Sequence, residues 1–506
     1  MAKIKSTHGL NKGDLVRYTA ASMANGGDAV GRVEGVPVFV ERAAPGDELE
    51  VRLYDVRKDF AHGAIETMIK PSPHRAKPPC FHYERCGGCQ WQHIDYADQL
   101  VFKRNLVVES LQHIAGLDEP GSDRTKVQDL VATTIGCADP FHYRNKMQFP
   151  TSHKMGQVLA GYYERGSHDL VNIDSCPIQP ELIDELLQAV RVLLKEYKVP
   201  IYSEERHNGL VRHINMRISH ETKRVLVTFV VNHDPVKYKK FAQIPELYRI
   251  SGLAAELMDN FGEVAGVVIN FNPARGNRIL GNDTLTVLGA DHIIETLRTS
   301  REDMPAKLRE GLAFRLSSNS FFQVNTPQAV RLLEEVARDA REALGEKQGQ
   351  ALIVDAYAGV GTIALWLSPF ARHVIAIEEV QAAVQDGQMN VQLNEIENIE
   401  FVQGKVEDTL EKILEESGEM DLLVLDPPRK GAAPSVIECL RSSGPHHIIY
   451  VSCNPASLAR DIKLLGHPIE GAKYGYKAIR IQPIDLFPQT YHVESVALLE
   501  RYTIQQ

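Results

Sequence analysis

Long apolar runs are absent from this 506-residue chain. No stretch approaches the ~18 residues of a membrane span, and the N-terminus lacks the apolar core of a secretion signal, so neither insertion nor export is expected. Internal repeats and low-complexity tracts are missing too, which leaves no basis for a repeat array. Cysteine is scarce: seven residues, an odd number, three of them crowded between Cys80 and Cys89. A disulfide framework fits that badly and a reducing cytoplasm fits it well, so the expected location is cytoplasmic. An excess of positive charge is lacking as well. Lys and Arg number 56 against 66 Asp and Glu, a net charge of −10. Residues 346–506 hold 13 basic and 22 acidic side chains, so almost all of the imbalance lies there. Such a chain reads as an acidic soluble enzyme. RNA is not excluded, because local basic patches and base stacking can hold it.

At ~150 residues per domain the length suggests about three domains. From about residue 8 to 70, five short alternating runs (Asp14–Tyr18, Ala29–Val33, Val36–Val40, Glu48–Tyr54, Phe60–Ile65) suggest a small OB-like barrel. Arg17, Tyr18, Arg32, Arg52, Tyr54, Arg57, Lys58 and Phe60 interleave basic and aromatic side chains along it, a pattern that suits single-stranded RNA. The Pro-rich stretch Lys70–Pro79 reads as a stiff linker. Residues from about 140 to 324 look largely β, with one amphipathic helix near Gln179–Lys198, and residues 297–310 read as charged and exposed. A helix is expected to start at Asn325-Thr326-Pro327, capped by Thr326. From residue 350 strands and helices alternate, and two strands near Lys473–Gln482 and Val493–Arg501 close the chain, an α/β pattern.

The chemistry concentrates in that last region. Val354-Asp355-Ala356-Tyr357-Ala358-Gly359-Val360-Gly361-Thr362 is a strand running into a turn, where Gly359 and Gly361 admit a ligand close to the backbone because they carry no Cβ. The third glycine of a dinucleotide fingerprint is missing; Ile363 and Ala364 stand near its place. Glu378, about 20 residues on at the end of the next strand, suits two ribose hydroxyls. The set favours S-adenosylmethionine over NAD. Two prolines in Asp426-Pro427-Pro428-Arg429 make a rigid turn that fixes Asp426 at the crevice.

Cys453 ends the apolar run Ile448–Ser452 and precedes Asn454-Pro455, which puts a thiol at the carboxyl end of a buried strand. Cys137 and Cys439 read as structural, the default for a buried cysteine. Lowering the Cys453 pKa from ~8.5 would give a thiolate. Beside a methyl donor, a thiolate has one well-matched use, conjugate addition to C6 of a pyrimidine. The resulting enolate lets C5 attack the methyl group. A base must then take the C5 proton so that the thiol is eliminated, and Glu494 is the candidate.

Asp426-Pro427-Pro428-Arg429, Ser452-Cys453-Asn454-Pro455, Phe487-Pro488 with His492-Val493-Glu494, and Phe321-Phe322-Gln323-Val324-Asn325 together resemble the motifs of the RNA uracil-5-methyltransferase family, and within it the 23S rRNA enzymes. The resemblance covers essentially the whole chain. It implies a TRAM domain (residues 1–70), a β-rich central domain (71–324) and a C-terminal class I, Rossmann-like methyltransferase domain (325–506). It implies that Cys453 is the nucleophile and Glu494 the base. Gln323, Tyr357, Glu378 and Asp426 match family positions that contact S-adenosylmethionine. Two departures stand out: Thr362 replaces a frequent Asn, so that contact is not carried over, and Gln489 stands where His is common.

Cys80, Cys86 and Cys89, with Gly87-Gly88 between the last two, and then Cys176-Pro177 offer four thiolates. Glycines between ligands and a Cys-Pro ending suit an iron–sulfur cluster, while a structural zinc is the alternative from spacing. Cys137 is the rival fourth ligand, without a following proline. The rRNA enzymes of the family carry a [4Fe–4S] cluster at matching cysteines, so the resemblance implies iron. The expected substrate is uridine C5 in 23S rRNA, met as free rRNA or an assembly intermediate, by a monomer with no membrane partner. The tRNA T-arm is the alternative substrate. An amino-group methyltransferase, or an RNA-binding protein with a dormant methyltransferase fold, would leave Cys453 and Glu494 without work.

Overall fold

A computed structural model describes residues 9–117, 126–417, 420–466 and 473–504. In its C-terminal part, seven strands form one sheet. Their order is Ile399–Gln403, Ala371–Glu378, Ala351–Ala356, Leu422–Leu425, His447–Ser452, Glu494–Thr503, Tyr474–Ile484. The first five are parallel; Glu494–Thr503 runs antiparallel to His447–Ser452. Strands such as Ala351–Ala356 and Leu422–Leu425 are buried throughout, which explains their unbroken apolar sequence: helices cover both faces of a parallel sheet. This is the doubly wound class I methyltransferase arrangement.

The central part is a seven-stranded sheet in the order Asp283–Gly289, Val264–Phe271, Val225–Val231, Val211–Ile218, Lys146–Lys154, Gln157–Tyr163, Leu170–Asn172. Helices Glu181–Glu196 and Pro245–Asn260 bury one face of it through Ile183, Leu187, Val190, Ile250 and Leu257. Its other face carries Gln148, Asn215 and Arg217, with Gln148 paired opposite Asn215.

The N-terminal part is a six-stranded sheet around its own core, one strand more than the sequence pattern suggests; the addition is the two-residue Ser22–Met23. Tyr18, read above as part of an RNA platform, is instead core: it is buried and its hydroxyl donates to the Ala29 carbonyl. The Pro-rich stretch is no free linker. The Ser72 amide donates to Asp47 and the Arg75 guanidinium pairs with the same buried carboxylate at 2.7 Å.

Helix Tyr96–His113 joins the parts. Phe102 and Leu106 complete the N-terminal core, whereas Val107, Val108 and Leu111 pack into the C-terminal one. Residues 297–310 differ from expectation: Leu297, Met304 and Leu308 are buried in the methyltransferase core, and most of the intervening charges face solvent. Helix Thr326–Leu344 is capped by Asn325, whose side chain accepts from the Gln328 amide, rather than by Thr326. Thr326 donates to the buried Glu295 instead. No helix among the described residues is long and apolar enough to cross a membrane.

Candidate active site

Strands Ala351–Ala356 and Leu422–Leu425 lie side by side where the strand order reverses, the place where open α/β sheets form a crevice. Here it is a cleft of about 1400 Å³. A single small ligand usually needs roughly 300–1,000 Å³, so there is room for two. Gln323, Tyr357, Gly359, Glu378, Asp426, Cys453 and Glu494 all line it, and Gly361 starts the helix behind it.

At the cofactor end the backbone turns sharply. Tyr357, Gly359 and Gly361 have φ of 67°, 58° and 81°. A Cβ on Gly361 would sit 2.6 Å from the Phe401 ring, whereas one on Gly359 would project into open space, so Gly359 leaves the cradle free for a ligand. The Gly359 and Val380 amides donate to the two oxygens of Glu378 at 2.9 and 2.8 Å and fix that carboxylate. Asp355 accepts from the Ala364 amide through Oδ2, while its buried Oδ1 has no partner. Burial, reinforced by Asp426 and Glu378, pushes the Asp355 carboxyl well above the usual range. A close-approach loop ringed by carboxylates fits a nucleoside that carries a positive charge.

Cys453 and Glu494 arrive from neighbouring strands. Ser452 pairs with Ser495 at the last rung, so Cys453 and Glu494, the adjoining residues, emerge at the same end of the two strands and both line the cleft. Burial pushes the Glu494 carboxyl up to about 8, with Asp426 adding to it and Arg429 opposing. Asp426 itself is raised by burial to about 7. The expected lowering of the thiol is not what the cleft produces. Burial, then Glu494 and Asp426, push Cys453 up to about 11, and Arg429 is the cation that opposes them. His492 is held neutral, lowered to about 4 by burial and by Arg429, Lys103 and Arg144.

The loop between the last two strands, which delivers Glu494, is clamped from below by residues that sequence reasoning missed. Lys103 is fully buried against Asp485 at 2.5 Å and also donates to the Phe487 carbonyl. Tyr96 donates to the same Asp485, and Tyr143 donates to the Pro488 carbonyl. Gln489, the departure from the family pattern, has φ of 69° and is buried. Its amide donates to Gln99 Oε1, its side-chain oxygen accepts from Gln99, and its carbonyl accepts from the Gln90 and Trp91 amides. Arg429 had a signal, its place in Asp-Pro-Pro-Arg. Lys103 had none, since a lysine in an amphipathic helix reads as solvated.

Cys80, Cys86, Cys89 and Cys176 converge on a cavity of about 140 Å³, lined also by Tyr83, Gln92 and Tyr162. Burial pushes all four thiols up, Cys89 to about 12, and neighbouring cysteines add to the rise at Cys86, Cys89 and Cys176. Four thiols around one cavity are a donor set that suits a bound metal group, whether a single zinc or an iron–sulfur cluster. Cys137 lies apart, donating to the Asp139 carbonyl and touched by Asn325.

Comparison with known proteins agrees with this geometry. Residues 282–502 match the tRNA (Uracil-5-)-methyltransferase family, and residues 16–65 match the TRAM domain. An uncharacterized RNA methyltransferase of Gloeobacter violaceus is 40% identical over 494 residues, 97% of this chain and 98% of that one. One from Listeria innocua is 35% identical over 490 residues, 97% and 98% of the two chains. The crystal structure of Pyrococcus abyssi tRNA (uracil-54, C5)-methyltransferase with S-adenosyl-L-homocysteine superposes with a TM-score of 0.67 at 24% identity, covering 96% of this chain and 100% of that chain. That likeness bears on the fold.

Proposed function

Because the chain belongs to the RNA uracil-5-methyltransferase family, we propose that it methylates C5 of a uridine in 23S rRNA through a covalent adduct between Cys453 and C6. The observation that carries the reading is that Cys453 and Glu494, each next to the last rung of the ladder, line one cleft with room for a cofactor and a base. Bound S-adenosylmethionine supplies an electrophilic methyl group. Tyr357, Gly359, Glu378 and Asp426, with Gln323 across the cleft, would hold it. Cys453 attacks C6, with Arg429 stabilising the thiolate, and C5 becomes the nucleophile toward the methyl group. Glu494, buried and ionised late, takes the C5 proton, and the C6–S bond breaks. The buried loop anchors around Gln489 and Asp485 hold that carboxylate in place.

Cys80, Cys86, Cys89 and Cys176 would hold a [4Fe–4S] cluster, supported by their convergence on one cavity and by the glycines and Cys-Pro ending of the motif. Methyl transfer moves no net electron, so the role we assign to these cysteines is to order the segment that leads into Gln90 and Trp91. The rRNA assignment rests on the combination of TRAM domain and four-cysteine site. Tritium release from C5-labelled uridine, with S-adenosylmethionine added, tests it. Release from 23S rRNA fragments and not from a tRNA transcript is the expected result. Release from tRNA alone would keep the chemistry and overturn the substrate.

A further inference from the structure

One wall of the cleft is a loop, residues 272–282, that the uridine chemistry leaves unused. Residues 273–278 are exposed, yet the loop is built on two buried asparagines. Asn272 donates to the Arg278 and Ile279 carbonyls at 2.7 and 2.8 Å and accepts from the Ala274 amide. Asn270 accepts from the Gly281 amide at 2.7 Å. The Arg212 guanidinium bonds the Asn272 and Ala274 carbonyls, both at 2.6 Å. A surface loop held by so many buried polar groups is presented in one fixed shape.

That shape presents Arg275 and Arg278. Some surface arginines of this acidic chain are spent on a carboxylate, as Arg52 is on Glu66, Arg85 on Glu164 and Arg298 on Glu221. Among the described residues, neither Arg275 nor Arg278 has a carboxylate oxygen within the 4.0 Å of an ion pair. Arg278 lines the cleft, and Arg429 and Lys430 line it too, from the methyltransferase side. Arg275, three residues earlier, lies outside the lining. The two exposed cations therefore stand one at the cleft lining and one beyond it. A small anion such as the cofactor's carboxylate ends inside the cleft, whereas a phosphate backbone continues out of it.

We propose that the 272–282 loop is a preformed clamp for the RNA backbone, with Arg278 and Arg275 taking successive phosphates beside the extruded uridine. The proposal rests on the reading of the substrate as RNA and adds where the strand runs. Phosphate contacts position a strand without reading its sequence. Each one lost shifts the slope of log K against log[salt] by about 0.7 on single-stranded RNA.

The test compares the full-length protein with an Arg275→Gln, Arg278→Gln double variant. A fluorescein-labelled, uridine-containing RNA hairpin is titrated at several chloride concentrations. The expected result is weaker binding with a salt slope shallower by about 1.4, and the same loss on a hairpin of scrambled sequence. A Lys239→Gln, Lys240→Gln variant removes the same charge from exposed positions of the central domain that are not in the cleft lining. An equal loss in that control, or an unchanged slope in the loop variant, overturns the clamp. A loss confined to S-adenosylhomocysteine affinity, measured by calorimetry, assigns the arginines to the cofactor and overturns it equally. Failure of the uridine reading shows separately, as absence of tritium release by the unaltered protein.

Discussion

Cys453 follows Ser452 and Glu494 precedes Ser495, and because those two serines form the last rung of the antiparallel ladder, thiol and carboxylate come to the same end of the two strands. Replacing Cys453 by Ala removes the nucleophile without touching the glycine turn or Glu378. Turnover should vanish while S-adenosylhomocysteine binding, followed by calorimetry, stays as it was. Undiminished tritium release from that variant would remove Cys453 from the mechanism.

Replacing Glu494 by Gln keeps the shape of the site and takes away the base. The C6 adduct then forms and is methylated, but the C5 proton stays. A covalent protein–RNA species should accumulate and survive denaturing electrophoresis. Its absence would point to another base, with Asp426 the nearest raised carboxyl in the cleft.

Both groups must lose a proton to act, and the cleft holds them at about 11 and about 8. The kcat/KM of the protein should rise about tenfold per pH unit between these values and more steeply below the lower one. A pH–rate profile of adduct formation alone should show the upper bend without the lower one, because Glu494 acts only after methylation. The same group gives a stability signature. Its folded pKa lies above the ordinary 4.5, so the unfolded chain ionises first and stability falls as pH rises from about 4.5 to about 8. Urea midpoints should drop across that window in the parent and drop less in Glu494→Gln.

The Lys103–Asp485 pair is fully buried beneath the loop that leads to Glu494. Lys103→Met leaves the Asp485 carboxylate without its cation and should cost about 3–5 kcal/mol in urea unfolding. Adding Asp485→Leu should recover much of that stability, since two apolar groups can replace a buried pair. Activity should not return with it, because the Phe487 carbonyl has lost the Lys103 ammonium and the Phe487 amide has lost Asp485 as its acceptor. Recovery of both together would make the pair a stability feature alone.

Iron and inorganic sulfide should co-purify with the anaerobically prepared protein, and Cys176→Ser should lose both, read by elemental analysis and visible absorbance. Cys137→Ser should keep them. Stoichiometric zinc in place of iron would overturn the cluster.

How much of this was legible in the sequence depended on the range of the forces involved. Strand ends with Gly, Pro or Cys at the crevice announce themselves locally, so Gly359, Asp426 and Cys453 could be placed from neighbours in the chain. The thiol's upward shift could not, because it comes first from burial in the folded cleft and then from Glu494 and Asp426, 41 and 27 residues away in the chain. Thr326 and Asn325 are both good caps; the choice fell to Asn325, whose amide also donates to the Leu486 carbonyl. Residues 297–310 carry enough charge to read as surface, but three apolar positions spaced among those charges are recruited into a core built from a later part of the chain. Gln489 was visible as a departure, and its reason is tertiary, since Gln99 answers both its amide and its side chain.

Helix Tyr96–His113 belongs to two cores at once, and that limits how the protein can be divided. Expressed from residue 325 onward, the last domain would lack Val107, Val108 and Leu111 and would show water the apolar socket they fill. During synthesis the helix emerges long before the sheet that receives it and has only the N-terminal barrel to shelter one side. The final docking step closes a loop of more than two hundred residues, which makes assembly of the catalytic domain the late, slow stage of folding. A chimera that exchanges the barrel for a foreign RNA-binding module would therefore need to carry this helix with the enzyme and give it a new apolar partner.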